Sequence, residues 1–396
     1  MGYIRKAGSK RAGICLMLCI GVLCLSACVP ATREFVLDSP EHRLTNGVRL
    51  LELGRIEDAR YEFRMAFKLD PTCCTAIRGI AISLGLQERF EEAFRTMAHA
   101  KSCSKDDRDR SMAAVGFMRL CILRKATGWI ERTENFFTEA LEYFPSNFEA
   151  YYYMGLAYGQ AGMFPKALWA FREAVKIGGS SCSKAKEELD SVKKVIEASP
   201  ESDFARSVAF KDALTRADVA VLFIEELHLD KVYKERGIGI LGEMNYPAAS
   251  SGVSIGNHLN RPKGGLNADF FPPQDVVKHP YRDEISKVLR LGIQGLTLLP
   301  DGGFGPDLQV TRSEFATIVA DILRKTAIGP LAGRSKNSER AVFSDISDRA
   351  PYLSDVLLCT THLHLMATEQ GLFHPMELLS GPDALLTISK LKDLLR

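Results

Sequence analysis

The chain has 396 residues, with 51 Lys and Arg against 49 Asp and Glu, giving a formal net charge of +2. At roughly 100–200 residues per domain that length predicts two or three domains. Four of the basic residues, Arg5, Lys6, Lys10 and Arg11, crowd the first segment, and without them the balance is −2. Such a charge argues against a nucleic-acid partner and against a generally basic, lipid-seeking surface.

Those four residues precede an apolar run from Ala12 to Leu25, closed by Leu25-Ser26-Ala27-Cys28. A basic start, a short apolar stretch and small residues at its end mark a secretory signal. At about 14 residues the run is shorter than the roughly 20 that a membrane-spanning helix needs. The closing tetrapeptide resembles the lipobox of bacterial lipoprotein precursors. The resemblance implies removal of a signal peptide, residues 1–27, and acylation of Cys28 with chains such as palmitate, followed by a linker over 28–39. Several acyl chains, at roughly 0.8 kcal/mol per buried methylene, form a lasting membrane anchor. Val29 stands where such lipoproteins carry Asp when retained at the inner membrane, so the expected place is the outer membrane, facing the periplasm. Lys6 occupies the position where N-myristoylation needs Ser or Thr.

Residues 40–198 repeat. Gly47, Gly54, Ala59, Phe63, Ala66 and Pro71 form one set, and Gly155, Gly162, Ala167, Phe171 and Ala174 reproduce its spacing. Ala93 and Ala100 follow Ala59 and Ala66 by one period; Gly128, Phe137 and Ala140 precede the last set by one. Ala59, Phe63 and Ala66 share one helical face, where small alanines admit a partner helix and the ring fills the space between. The pattern resembles the tetratricopeptide (TPR) repeat of 34 residues. It implies about four stacked helix pairs, with Ser183 to Ala198 as a charged capping helix. Extra residues near Lys101 to Arg110 separate the second unit from the third. A concave groove for another envelope protein follows from the resemblance, with Tyr151, Tyr152, Tyr158 and Arg78 as candidate lining. A plain spacer is the alternative.

Six cysteines follow Cys28, with no C-x-x-C pairs, so neither zinc nor another metal is expected. Cys74 and Cys103 fall at neighbouring ends of one antiparallel pair. Export permits a disulfide between them; two buried free thiols are the other reading.

From Asp275 a different order begins: Asp275, Pro280, Tyr281, Leu291-Gly292-Ile293, Asp301-Gly302-Gly303-Phe304-Gly305-Pro306 and Val310-Thr311-Arg312-Ser313-Glu314-Phe315-Ala316. Asp345, Pro351, Tyr352, Gly371-Leu372-Phe373-His374-Pro375 and Leu379-Ser380-Gly381-Pro382-Asp383 repeat it, and Leu214-Thr215-Arg216-Ala217-Asp218 repeats its end. The order resembles the S-layer homology (SLH) motif, three of which form a helical module that binds cell-wall polymers. The motifs divide as a partial copy over 199–229, a loop or insertion over 230–274, a full copy over 275–326, a linker over 327–341 and a degenerate copy over 342–396. Thr215 with Asp218, Thr311 with Glu314 and Ser380 with Asp383 read as helix N-caps with an acid three residues on. The caps leave Arg216 and Arg312 unexplained. An arginine beside free helix N–H groups suits a carboxylate or pyruvyl group, and the resemblance places arginine here against the glycan. Polymer contact is therefore expected at Thr215, Arg216, Thr311 and Arg312, with Gly381 silent.

No phosphate-cradling glycine loop, nucleophile elbow or H-E-x-x-H helix is present, and His362 and His364 lack a third ligand. The sequence thus predicts an all-α chain, a TPR helical solenoid followed by an SLH-type helical module with long loops. It predicts no cofactor and no catalysis. The expected role is a lipid-anchored envelope tether that grips peptidoglycan or an attached polymer and recruits a protein. A rival reading is an assembly factor for a pilus, secretion or outer-membrane complex, with the SLH part purely structural.

Overall fold

A computed structural model describes residues 39–179, 182–238, 272–326, 343–362, 364–366 and 371–396. Cys28, the signal segment, most of the 230–274 insertion and the 327–341 linker lie outside the described residues. The chain is all-α, and its described residues carry only isolated β-bridges. It divides into two compact units at Pro145 and Ser146.

The first unit holds α1 (Pro40–Glu52), α2 (Ile56–Leu69), α3 (Cys74–Leu86), α4 (Phe90–Ser102), α5 (Asp107–Arg124) and α6 (Trp129–Tyr143). They pack as three successive hairpins, α1 on α2, α3 on α4 and α5 on α6. Gly54 and Gly128 take φ near +70° in the first and third hairpin turns, and Glu88 adopts the same left-handed conformation in the second. Ala59, Phe63 and Ala66 are buried. The Phe63 ring lies so close to Gly47 and Gly79 that a Cβ there would come within 2.6 Å and 2.5 Å of it. Large rings and bare backbone therefore interlock, which is the packing that the spacing encodes.

Of the extra residues between the second and third repeats, Asp107 to Arg110 form the start of α5. Asp106 caps α5 by accepting from the Asp109 N–H, and the helix runs 18 residues against 13 in α3. Its added turns reach α3, where Arg78 pairs with Asp109 at 3.2 Å. Cys74 and Cys103 are joined as a disulfide, their Cα atoms 6.0 Å apart.

The second unit begins with the hairpin α7 (Phe148–Gln160) and α8 (Phe164–Gly178), where Phe171 packs against Gly155 as Phe63 packs against Gly47. Next come α9 (Ser183–Ala198), α10 (Asp203–Val208), α11 (Arg216–Glu225), α12 (Leu229–Glu235), α13 (Arg282–Leu291), α14 (Arg312–Lys325), α15 (Leu353–Leu357, running on as a π-type turn over Leu358–His362) and α16 (Gly381–Leu395).

These helices pair in a threefold manner: α11 packs on α13, α14 on α15, and α16 on α9. The capping helix α9 therefore also serves as the first helix of the first motif. It ends at Ser199 with φ +47°, as α13 ends at Gly292 with φ +61°. The reading of a partial copy starting at residue 199 is corrected accordingly: the copy has both helices, and its first is shared with the repeat array. A second correction concerns the start of the 230–274 insertion. There α12 forms with Leu229 and Tyr233, four apart, completely buried, while Lys231 between them is exposed. Arg236 then donates to the carbonyls of Thr326 and Leu395.

Candidate functional site

The three motifs meet in a closed ring of backbone hydrogen bonds. Leu214 N–H donates to Leu379 O (2.9 Å), Leu379 N–H to Val310 O (2.8 Å), and Val310 N–H to Leu214 O (2.9 Å). All three side chains are buried at the ring. Each residue immediately precedes a helix N-cap, so the ring aims three helix starts at three neighbouring loops.

Both threonine caps form complete capping boxes: Thr215 with Asp218 and Thr311 with Glu314. Ser380 caps α16 by accepting from the Asp383 N–H. The N–H groups that follow the caps are not free. Arg216 N–H and Ala217 N–H donate to Leu308 O and Pro306 O, while Arg312 N–H and Ser313 N–H donate to Glu377 O and Pro375 O. Each helix start thus uses carbonyls from the next motif's loop in place of an anion.

The arginine side chains follow the same route. Arg216 donates to the carbonyls of Phe304 (2.8 Å), Gly295 (2.5 Å) and Thr297 (2.8 Å), and its guanidinium lies 4.8 Å from the Phe304 ring centre. Arg312 donates to Phe373 O (2.9 Å) and to Asp383 (3.2 Å), over the Phe373 ring at 5.0 Å. Its side chain is only 9% exposed. The expectation that Arg216 and Arg312 offer their forks to a glycan is corrected by this geometry. Both are spent on the protein, as braces between one motif and the next. In the third motif Gly381 stands at that position because the Val208 carbonyl occupies the place of a side chain. There the seam is closed by Gly381 N–H donating to Lys211 O (2.8 Å) and by Lys194 with Asp383 (2.8 Å).

Two carboxylates unassigned by the sequence hold the loops that the arginines clasp. Asp275 accepts from the N–H groups of Phe304 (2.9 Å) and Gly305 (2.7 Å). Asp345 accepts from Phe373 (3.1 Å) and His374 (2.6 Å). Burial pushes the Asp345 carboxyl up, but these N–H bonds outweigh it and leave it below the ordinary carboxylate value. The signal was present in the parallel order of Asp275 before Phe304 and Asp345 before Phe373. What the ring exposes is the loop rim: Leu308 at 51%, Met376 at 74% and Leu378 at 42%, with Gln309 between.

On the repeats, Tyr158 is buried beneath Lys166, so its assignment to a groove is corrected: it is core. Tyr151 and Tyr152 are half-buried against the cluster of Ala174, Cys182 and Ala185. Tyr151 also meets Trp169 edge-on at 5.8 Å, and Trp169, which the sequence reading passed over, is 47% exposed. Arg78 is engaged with Asp109 and Thr75. The buried thiols Cys121 and Cys359 are pushed up by desolvation, Cys359 to about 12. Among the described residues no set of three His, Cys, Asp or Glu converges as a metal site, and no helix is long and apolar enough to cross a membrane. His364 is exposed on a left-handed turn.

Residues 274–316 match the model of the S-layer homology domain family. The match spans α13, the Phe304 loop and the first residues of α14, and therefore contains Asp275, Thr311 and Arg312. Among solved structures, the chain is similar to a thermophilic TPR protein of Thermus thermophilus. The likeness runs at 17% identity over 50% of this chain and 97% of that one, with a TM-score of 0.35. No curated protein matches the chain. Around this match, the segments that start at Thr215 and Ser380 complete the ring with their own helix caps.

Proposed function

We propose that the chain is a non-enzymatic cell-envelope lipoprotein whose SLH-type ring binds peptidoglycan or an attached wall polymer and whose repeats engage a protein partner. The observation that carries this reading is the SLH match over 274–316, seated in a ring that all three motifs close. Polymer contact is assigned to the exposed rim around Leu308, Gln309 and Met376. Arg216 and Arg312, with the caps Thr215 and Thr311, act indirectly by holding that rim in shape.

Lipid on Cys28 fixes the other end to the membrane, most simply the outer membrane with the body in the periplasm. A disulfide between Cys74 and Cys103 fits an oxidising compartment and supports export. Trp169 beside Tyr151 supports protein binding on the repeats, since exposed Trp and Tyr dominate interface energetics. Purified chain mixed with cell-wall sacculi tests the polymer arm. Co-sedimentation of the wild type is expected; its absence, together with co-purification of a secretion or pilus subunit, would favour the assembly-factor reading instead.

A further inference from the structure

The seam where α9 meets the first-motif loop and the start of α16 forms a half-open pocket of about 160 Å³. Glu187, Glu188, Ser191, Lys211, Asp212 and Ser380 line it. Glu188 is half-buried there, with the exposed carboxylates of Glu187 and Asp212 lining the same space. The cation that lines it, Lys211, and those nearby are committed elsewhere. Lys211 holds both oxygens of the buried Asp218 at 2.9 Å and 3.1 Å. Lys194 of α9 holds Asp383 of α16 at 2.8 Å, and Asp383 also receives Arg312 of α14 at 3.2 Å. On α9 itself Lys184 lies one turn before Glu188 and has a partner of its own. Among the described residues Glu187, Glu188 and Asp212 have no hydrogen-bond or ion-pair partner for their carboxylates.

Three unneutralised carboxylates in such a space disfavour full ionisation. Burial first, then the charges of Asp212 and Glu187, push the Glu188 carboxyl up to about 7. We propose that this seam is a pH-sensitive joint, tight while Glu188 keeps its proton and loosened when its carboxylate forms. The folded seam binds a proton that the opened chain releases at the ordinary glutamate value. Its stabilisation is therefore complete below about pH 4.5, declines as pH rises, and is lost once pH passes about 7. Because α9 belongs both to the repeat array and to the ring, loosening would free the ring's closing edge while leaving the hairpins intact. The inference goes beyond the polymer-binding reading and stands or falls without it.

Hydrogen exchange of the full chain, corrected for the intrinsic effect of pH and followed from pH 5.5 to 8.5, tests it. Amides over 203–214 are expected to lose about tenfold or more of their protection across that range. Glu188→Gln should hold the pH 5.5 protection at pH 8.5. Asp212→Asn should shrink the loss and end it at lower pH, since weaker repulsion lets Glu188 ionise inside the closed seam. A flat wild-type profile would overturn the proposal. So would an unchanged pH response in Glu188→Gln, or an equal loss of protection in α3 to α6, which would mark a general loosening and not a local joint.

Discussion

Arg312 donates its Nε proton to the carbonyl oxygen of Phe373 at 2.9 Å while its guanidinium lies over that residue's ring. One side chain thereby fixes both the backbone and the aromatic anchor of the next motif, 61 residues away in sequence. Replacing it leaves a buried carbonyl unpaired and removes one of the two cations on Asp383. Arg312→Ala should cost about 2–4 kcal/mol in denaturant-monitored unfolding of the second unit. Arg216→Ala, whose site is more open to water, should cost less, about 1–2 kcal/mol. A variant Arg312→Ala of wild-type stability would show that the brace is ornamental.

Asp383 gives a pH signature of the same seam. Burial raises its carboxyl, but Lys194 chiefly, then Arg312 and Ser380, outweigh this and hold it below the ordinary aspartate value. Its stabilisation is thus present above the unfolded value near 4 and lost as pH falls through the depressed folded value. Acid unfolding of the wild type should steepen below about pH 4, and Asp383→Asn should be less stable at pH 7 yet flatter in acid. Unfolding curves at several pH values read the difference.

Two glycines should be intolerant of a single methyl group for separate reasons. In Gly381→Ala the new Cβ would meet the Val208 carbonyl, which is backbone and cannot swing aside. In Gly79→Ala it would meet the Phe63 ring. Each should lose about 1–3 kcal/mol, the first in the second unit and the second in the first unit, as separate transitions in calorimetry would resolve.

The Cys74–Cys103 bond spans 29 residues, a loop for which chain entropy predicts about 3–4 kcal/mol of stabilisation. Dithiothreitol or Cys103→Ser should lower the melting of the first unit and leave the second unchanged. Equal melting with and without reductant would argue that the two thiols contribute only by packing.

Much of this was legible in residue spacing. Ala59, Phe63 and Ala66 announced their shared face, Gly54 and Gly162 their turns, and Thr311 with Glu314 a capping box, because each depends on neighbours within a few residues. What the spacing hid were partners far along the chain. The helix N–H groups beside Arg216 and Arg312 look free in sequence, yet carbonyls from loops more than 60 residues away fill them. The double duty of α9 was hidden likewise: its Lys and Glu suit a capping helix, and only ring closure against α16 reveals the missing half-motif. Tyr158 misled because a tyrosine at a repeat's core position and one in a groove differ by burial alone.

In the proposed function the SLH-type ring grips wall polymer through its exposed rim. Co-sedimentation with purified sacculi, comparing wild type with the double variant Gln309→Ala/Met376→Ser, tests it most directly. The wild type should sediment with the sacculi, and the rim variant, of unchanged melting temperature, should stay in solution. A wild type that remains in the supernatant, or a rim variant that sediments equally well, would contradict it.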